Sequence, residues 1–237
     1  MTTNGHCRID TAGTYTLTAT SGTLDAATSG SFTIFGTAAK LAFTTSSSGS
    51  TGGIAFPTQP MVTVQDAGGN TVTTSTVSVT LSIPAGTPVL TCSRNPMNAV
   101  AGVAAFAGCK IDKTGTYTLT AASSGLASVT ASVTIIVGPA TKLAFTTSPS
   151  NTAHNVVFTT QPVVKIQDAG GNTVNSTASV TLGNPEGATL TCTTNPKPAV
   201  AGVATFAGCR INNAGTYTLT ATSGVLTAAV SNTVTIS

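Results

Sequence analysis

The peptide GTYTLTA occurs three times in the chain, at residues 13–19, 115–121 and 215–221. In each copy the Tyr, Leu and Ala alternate with threonine. A period of two residues places the apolar side chains on one face and the hydroxyls on the other, which is the pattern of a half-buried β-strand. The peptide therefore predicts a strand whose apolar face is buried and whose threonine face meets water.

Similar alternation recurs along the rest of the chain, for example in MVTVQD at residues 61–66 and VTLSI at 79–83. Turn-forming groups such as DAGGN, PAGTP, NPEGA and SSG separate these runs, and no stretch has the apolar stripe and caps of a helix. Around seven short strands in a hundred residues predict an all-β fold made of antiparallel β-sandwiches.

The chain of 237 residues repeats itself at a spacing of about a hundred residues. KLAFTT begins at Lys40 and again at Lys142, and QDAGGNTV begins at Gln65 and again at Gln167. A unit of this length is a domain rather than the rung of a solenoid. We therefore expect one complete repeat at 37–137, a second at 138–237, and in residues 1–36 a partial repeat with only the last strands of a unit.

The tyrosine of each GTY motif predicts a tyrosine corner, in which the phenol bonds back to an upstream backbone group at the start of a sandwich strand. The three tyrosines concerned are Tyr15, Tyr117 and Tyr217. Two residues later, where antibody domains have a cysteine, this chain has leucine, so the intersheet disulfide of those domains is not expected.

With VTVQDAGGNTV early (VKIQDAGGNTV in the second unit), a GVA-x-F strand late and GTYTLTA near its end, each complete unit resembles the bacterial immunoglobulin-like repeats of the invasin and intimin type. The resemblance covers both complete units and, as a partial repeat, residues 1–36. It implies tandem immunoglobulin-like sandwiches from a long surface or extracellular fibre protein, which commonly serve as stalks.

Each complete repeat contains one pair of cysteines at equal spacing, Cys92 with Cys109 and Cys192 with Cys209. We expect two disulfides and therefore an oxidising, extracytoplasmic setting; four buried free thiols are the alternative. The Asn95-Pro96 and Asn195-Pro196 turns are expected to fold the intervening segments back as hairpins. A metal site is disfavoured because the C-x-x-C spacing of metal-binding cysteines is absent.

Cys7 occupies the position of the second cysteine in a pair whose first member would lie upstream. Two interpretations remain open. Either the sequence is cut from a longer array, which we favour, or another chain completes the partial repeat by adding strands. In both, two or three strands alone do not bury both faces of a sheet.

Charged residues make up only 6% of the chain, and the net charge of +3 comes from isolated positions. There is no basic stripe of the kind that binds nucleic acid and no apolar run long enough for a membrane-spanning helix. A surface of Thr, Ser and Ala with little charge offers little repulsion to end-on or lateral association with copies of itself or further repeats. It is equally consistent with a surface that carries glycans.

The residues needed for catalysis are sparse, and we predict that the chain is not an enzyme and uses no cofactor or metal. His6 and His154 are at non-equivalent places in the repeat, and Glu186 is the only glutamate. Asp66 and Asp168 are expected to cap their own QDAGGN turns, with Gly-Gly supplying positive φ, rather than to bind calcium, which needs six or more oxygen ligands.

Local sequence suggests two sites of covalent modification. Asn175 begins an Asn-Ser-Thr sequon and is a candidate N-glycosylation site. Lys40 and Lys142 open the first strand of each repeat, where an isopeptide crosslink is conceivable but disfavoured, because the first complete repeat has no glutamate.

The favoured function is a non-enzymatic structural segment that forms a semi-rigid extracellular or cell-surface stalk or filament. The connections at residues 36–39 and 138–141 are too short for independent tumbling of the units. The alternative is an adhesin or carbohydrate-binding immunoglobulin-like module. It is disfavoured because the loops largely copy each other and tyrosine occurs only at the corner position.

Overall fold

The computed structural model describes residues 7–9, 11–86, 88–183 and 185–237. All regular elements in these ranges are β-strands. The predicted all-β fold is therefore confirmed. A helix with the length and apolarity that a membrane crossing requires is not found in the described ranges.

The strands fall into three groups that follow the repeats. In the partial repeat they are β1 (Gly13–Tyr15), β2 (Thr18–Ala19), β3 (Ala27–Thr28) and β4 (Phe32–Ile34). In the first complete repeat they are β5 (Lys40–Thr45), β6 (Ser50–Thr51), β7 (Met61–Gln65), β8 (Ser78–Ser82), β9 (Leu90–Thr91), β10 (Met97–Asn98), β11 (Val103–Ala105), β12 (Lys110–Ile111), β13 (Gly115–Ala122) and β14 (Val129–Ile136). In the second they are β15 (Lys142–Thr147), β16 (Val163–Gln167), β17 (Ser179–Gly183), β18 (Leu190–Thr191), β19 (Lys197–Pro198), β20 (Val203–Thr205), β21 (Arg210–Ile211), β22 (Gly215–Tyr217), β23 (Thr220–Thr222), β24 (Ala229–Val230) and β25 (Val234–Ile236).

The first complete repeat is a sandwich of two sheets around one core. One sheet has the order β10-β8-β13-β14-β6 and the other the order β11-β7-β5. The neighbours pair antiparallel except β14 and β6, which run parallel. Buried side chains from both sheets, such as Val64 on β7, Val79 on β8 and Leu119 on β13, belong to the same cluster. This is the β-sandwich of largely antiparallel strands expected from the alternating pattern.

The second repeat reproduces this architecture with a core of its own. Strands β15, β16 and β20 form one sheet, while β17 pairs with β19 and β23, and β23 pairs with β24. Strands β22 and β25 continue the β23–β24 ladder after a short interruption. The duplication of sequence is thus a duplication of the sandwich.

The GTYTLTA strand behaves as its alternation predicts. On β13, Leu119 and Ala121 are fully buried. Threonines on the opposite face pair across the sheet, and the hydroxyl oxygens of Thr116 and Thr134 are 3.1 Å apart. The strand is stabilised on one face by apolar burial and on the other by cross-strand hydroxyl contacts.

The hairpin predicted between the paired cysteines is wrong in its position. The chain reverses at Ala101-Gly102, where φ is 48° and 76°, and Val100 pairs with Val103. Before this reversal β10 joins one sheet, and after it β11 joins the other. Asn95 instead anchors the segment to β8: its Nδ2 donates to Leu81 O (2.8 Å) and its Oδ1 accepts from Leu81 N (3.0 Å). The segment therefore folds back at Ala101-Gly102, and its two halves also join the edges of the two different sheets.

The partial repeat forms two short ladders, β1 with β4 and β2 with β3. These strands correspond to β22–β25 of the second repeat. Leu17 is 55% exposed, whereas the equivalent Leu119 and Leu219 are fully buried. The apolar face of the partial repeat therefore has no opposing sheet within the described residues.

Candidate functional site: the joint between the repeats

The QDAGGN turns at residues 65–70 and 167–172 are closed by their own side chains. Asp168 Oδ1 accepts hydrogen bonds from Asn172 N (2.8 Å) and Asn172 Nδ2 (3.0 Å). The second glycine of each turn has positive φ, 90° at Gly69 and 80° at Gly171. The first glycine does not, so only one of the two glycines is required by the turn itself.

The second carboxylate oxygen of each aspartate holds the segment that precedes the repeat. Asp66 Oδ2 accepts from Gly36 N (2.9 Å), and Asp168 Oδ2 accepts from Gly138 N (3.0 Å). Both aspartates are 1% exposed. Each one therefore ties its turn to the connection from the preceding unit, which is more than the capping role expected from sequence.

These contacts favour the charged form of both carboxyl groups. Hydrogen bonds from Gly36 N and the Asn70 side chain lower the pKa of Asp66 to about 2. Burial raises the pKa of Asp168, but hydrogen bonds from Gly138 and Asn172 outweigh it, and the net pKa lies below the ordinary value. Both aspartates are thus anionic hydrogen-bond acceptors at neutral pH.

Lys40 and Lys142 support the same turns from the first strand of each repeat. Lys40 Nζ donates to Ala67 O (3.3 Å) and Lys142 Nζ to Ala169 O (3.0 Å). The ammonium groups therefore satisfy turn carbonyls. This gives both lysines a noncovalent role in shaping the turn.

The turn of the second repeat rests on the end of the first repeat, in a contact that we call the joint. Asn172 Nδ2 donates to Asp112 O (2.8 Å), and Asn172 Oδ1 accepts from Thr114 N (3.1 Å). Lys113 Nζ donates to Gly170 O (2.8 Å). The same Asn172 amide that closes the turn thus also binds the preceding repeat.

Glycines make the joint close-packed. A Cβ placed on Gly53 would be 2.6 Å from Gly170 N and 2.8 Å from the carbonyl carbon of Ala169. A Cβ on Gly170 would meet Asp112 O and the carbonyl carbon of Gly52. Backbone therefore meets backbone across the joint, and any side chain at these positions would force the repeats apart.

The tyrosine corner holds the part of the first repeat that receives the turn. Tyr117 Oη donates to Lys113 O (3.1 Å) or Thr114 O (2.9 Å). The equivalent phenols bond to Thr11 O from Tyr15 (3.0 Å) and to Ala214 O from Tyr217 (3.1 Å). Within the first repeat, this corner fixes the residues that contact Asn172 and Gly170.

In the first repeat, the disulfide holds the strand that ends next to Asp112 at the joint. Cys92 is bonded to Cys109 and Cys192 to Cys209, with Cα atoms 3.9 Å apart in both pairs. Each pair extends the β9–β12 or β18–β21 ladder by one position. In the first repeat β12 ends at Ile111, whose carbonyl accepts from Gly53 N (3.0 Å). The disulfide thus braces the backbone next to Asp112.

The remaining candidate residues lie apart from the joint. Cys7 is an exposed free thiol beside a groove of the partial repeat, and Asn175 is exposed. His154 is exposed with Nδ1 3.2 Å from Ser237 O, Glu186 is also exposed, and His6 lies outside the described residues. No cluster of three or more His, Cys, Asp or Glu occurs among residues the structure describes.

One groove on the outer edge of the first repeat has a volume of about 520 Å³. Its lining consists of small, hydroxyl-bearing and aliphatic residues: Gly49, Ser50, Thr51, Pro57, Thr134 and Ile136. None of these side chains titrates near neutral pH. The groove therefore brings together no general acid, base or activated nucleophile.

Sequence reasoning did not identify the residues of the joint. Glycine is common in turns, so Gly52, Gly53 and Gly170 do not stand out in the sequence. The hydrogen bonds of Asn172 to the first repeat arise only once both repeats have folded. One signal was available in the alignment of the two repeats. Where the first has Gly52-Gly53, the second has His154-Asn155.

No protein-family model and no curated protein matches the chain.

Among solved structures, the chain is similar to the D0-D1 domain of intimin. The identity is 20%, the match covers 82% of this chain and 97% of that one, and the TM-score is 0.33. It is similar to the Escherichia coli adhesin FdeC, with 15% identity over 95% of this chain and 74% of that one, and a TM-score of 0.37. A glycosyl hydrolase family 2 member from Bacteroides cellulosilyticus has 12% identity over 78% of this chain and 24% of that one, with a TM-score of 0.37. Intimin domains are thus among the solved structures to which the chain is similar.

Proposed function

We propose that this chain is a non-enzymatic structural segment of an extracellular or cell-surface stalk or filament. In this proposal residues 37–137 and 138–237 are separate sandwich domains held in a fixed orientation by the joint. Residues 1–36 are the final strands of a further unit. The chain transmits length and orientation from one repeat to the next.

The single observation that carries the proposal is the direct backbone contact of Gly53 with Gly170, flanked by three hydrogen bonds from residues 112–114 to 170–172. Each such hydrogen bond contributes about 1 kcal/mol. The connection at Gly138 is pinned in addition by Asp168. Several short, differently directed contacts restrain rotation about the connection, which is the property a semi-rigid rod needs.

The setting outside the cytoplasm is supported by the two disulfides, which persist in oxidising compartments. Exposed Asn175 is the position where we propose an N-linked glycan. Self-association through the weakly charged Thr- and Ser-rich surface is part of the same proposal.

The rigidity of the joint is tested by a distance measurement between the two repeats. In a Cys7→Ser background, spin labels are attached at Thr80→Cys and Thr222→Cys, both exposed positions on sheet strands. We expect pulsed electron resonance to give one narrow distance distribution for the otherwise unchanged chain. A broad distribution, typical of domains that tumble on a flexible linker, would overturn the proposal.

A further inference from the structure

The second repeat has a turn equivalent to the one at Gly52-Gly53, but its two residues carry side chains. There, His154 and Asn155 occupy the two positions. The backbone hydrogen bonds are the same: Gly52 N donates to Ile136 O (3.0 Å) and His154 N to Ser237 O (2.8 Å). Gly53 N donates to Ile111 O (3.0 Å), and Asn155 N to Ile211 O (2.7 Å).

The backbone conformation is also shared, with φ of 77° at Gly53 and 58° at Asn155. Asparagine is one of the few residues with a side chain that adopts this region. The second repeat therefore forms this turn without glycine. Positive φ alone therefore does not require glycine at Gly53, and the first repeat has a further reason for it.

That reason is the neighbouring repeat. A Cβ on Gly53 would be 2.6 Å from Gly170 N, and a Cβ on Gly52 would meet Asn172 Nδ2. The atoms beyond Gly53 belong to the backbone of the QDAGGN turn, which is held by Asp168 and cannot move without breaking its own hydrogen bonds. Glycine at Gly52-Gly53 is required to admit the turn.

A second difference between the two repeats also favours docking of the turn on the first repeat and not on the second. Lys113 reaches across the joint to Gly170 O (2.8 Å), but its equivalent Asn213 donates to Gly187 O (2.8 Å) within its own repeat. By contrast, both repeats carry the QDAGGN turn. Both complete repeats thus carry the turn, and of their two ends within the described residues, the end of the first repeat has the surface that receives it.

We propose that Gly52, Gly53 and Lys113 are specificity determinants that let the end of one repeat accept the QDAGGN turn of another. The end formed by His154, Asn155 and Asn213 rejects this turn, because two added side chains occupy the space that the turn backbone needs. A repeat attached to that end docks in another geometry or remains mobile. This inference rests on the proposed function, in which the joint holds the two repeats together, and it identifies the residues by which the joint is recognised.

The test transfers the residues of one end to the other in the full chain. With the Thr80 and Thr222 labels, Gly52→His/Gly53→Asn is expected to lose the single narrow distance peak and to give a broad distribution. The matched control His154→Gly/Asn155→Gly makes the reverse exchange in the second repeat, away from the joint, and should retain the narrow peak. A narrow, unshifted peak in the Gly52→His/Gly53→Asn variant would overturn the inference.

A second variant guards against misfolding of the first repeat. Gly170→Ala leaves residues 37–137 unchanged and adds a Cβ on the other side of the same contact, so it should broaden the distribution too. Retention of the narrow peak by Gly170→Ala would also count against the inference. A broad distribution in the unsubstituted chain contradicts the proposed function instead, so the two failures are distinguishable.

Discussion

At the scale of single residues, Asp66 and Asp168 each join a QDAGGN turn to the connection that precedes its repeat. Each carboxylate closes a QDAGGN turn with one oxygen and accepts the amide of the preceding connection with the other. Because these hydrogen bonds are made to the charged form, the pKa of both groups is lowered. Their contribution to stability therefore depends on pH.

We expect the free energy of unfolding to be insensitive to these carboxyl groups above their unfolded pKa of about 3.9 and to fall as the pH drops toward the folded pKa of Asp66, about 2. The sign follows from the lowered pKa: the unfolded chain takes up protons first, so acid favours unfolding. Urea midpoints measured between pH 5 and pH 2 test this.

The Asp66→Asn/Asp168→Asn variant serves as the control for this pH series. It should lower the midpoint at neutral pH, because an amide NH₂ would face the amide donors of Gly36 and Gly138. It should also flatten the loss of stability in acid. An equally steep acid dependence in the variant would show that other carboxyl groups are responsible.

At the scale of secondary-structure elements, short ladders brace the long strands of the sandwich. The β9–β12 ladder contains only two residue pairs, and the Cys92–Cys109 bond extends it. Gln59 ties this region to the start of β7, since its Oε1 accepts from Cys109 N (2.8 Å) and its Nε2 donates to Phe56 O (2.7 Å). A covalent crosslink matters most where so few backbone hydrogen bonds are present.

Replacing Cys92 and Cys109 by serine should destabilise the first repeat by about 3 kcal/mol, since the crosslink constrains the unfolded chain over a separation of 17 residues. Urea-dependent hydrogen exchange, resolved by peptide, should show the loss in residues 37–137. Cys192→Ser/Cys209→Ser is the matched variant and should shift the loss to residues 138–237. Equal destabilisation of both repeats by either variant would contradict the assignment of separate cores.

At the scale of the whole molecule, stability is unevenly distributed. Each complete repeat has its own buried cluster, while the partial repeat exposes Leu17 and Leu24, the latter to 73%. Apolar side chains on two short ladders gain little from burial when no second sheet covers them. Within this chain we therefore expect the two sandwiches to be more stable than the partial repeat.

Backbone amides of β1–β4 should exchange with solvent deuterium faster than the equivalent amides of β13 and β14. The reason is that opening of the partial repeat exposes little additional apolar surface. The comparison is internal, because GTYTLTA occurs in all three units and gives peptides of matched intrinsic exchange rate. Equal protection in the three copies would show that the partial repeat is covered by another surface in solution.

The sequence by itself determined the strands and the duplication, because alternation and repeat spacing are properties that any fold of these segments must respect. The cysteine pairing was an expectation with free thiols as its alternative, and the structure shows the two disulfides. Even there, the path between Cys92 and Cys109 escaped prediction, since β10 and β11 join two different sheet edges that exist only after folding. Only the tertiary structure decided the joint. In the sequence, Gly52 and Gly53 look like ordinary turn residues. The absence of their side chains matters only after both repeats have folded, because the backbone at Gly170 then occupies the space that a side chain would need.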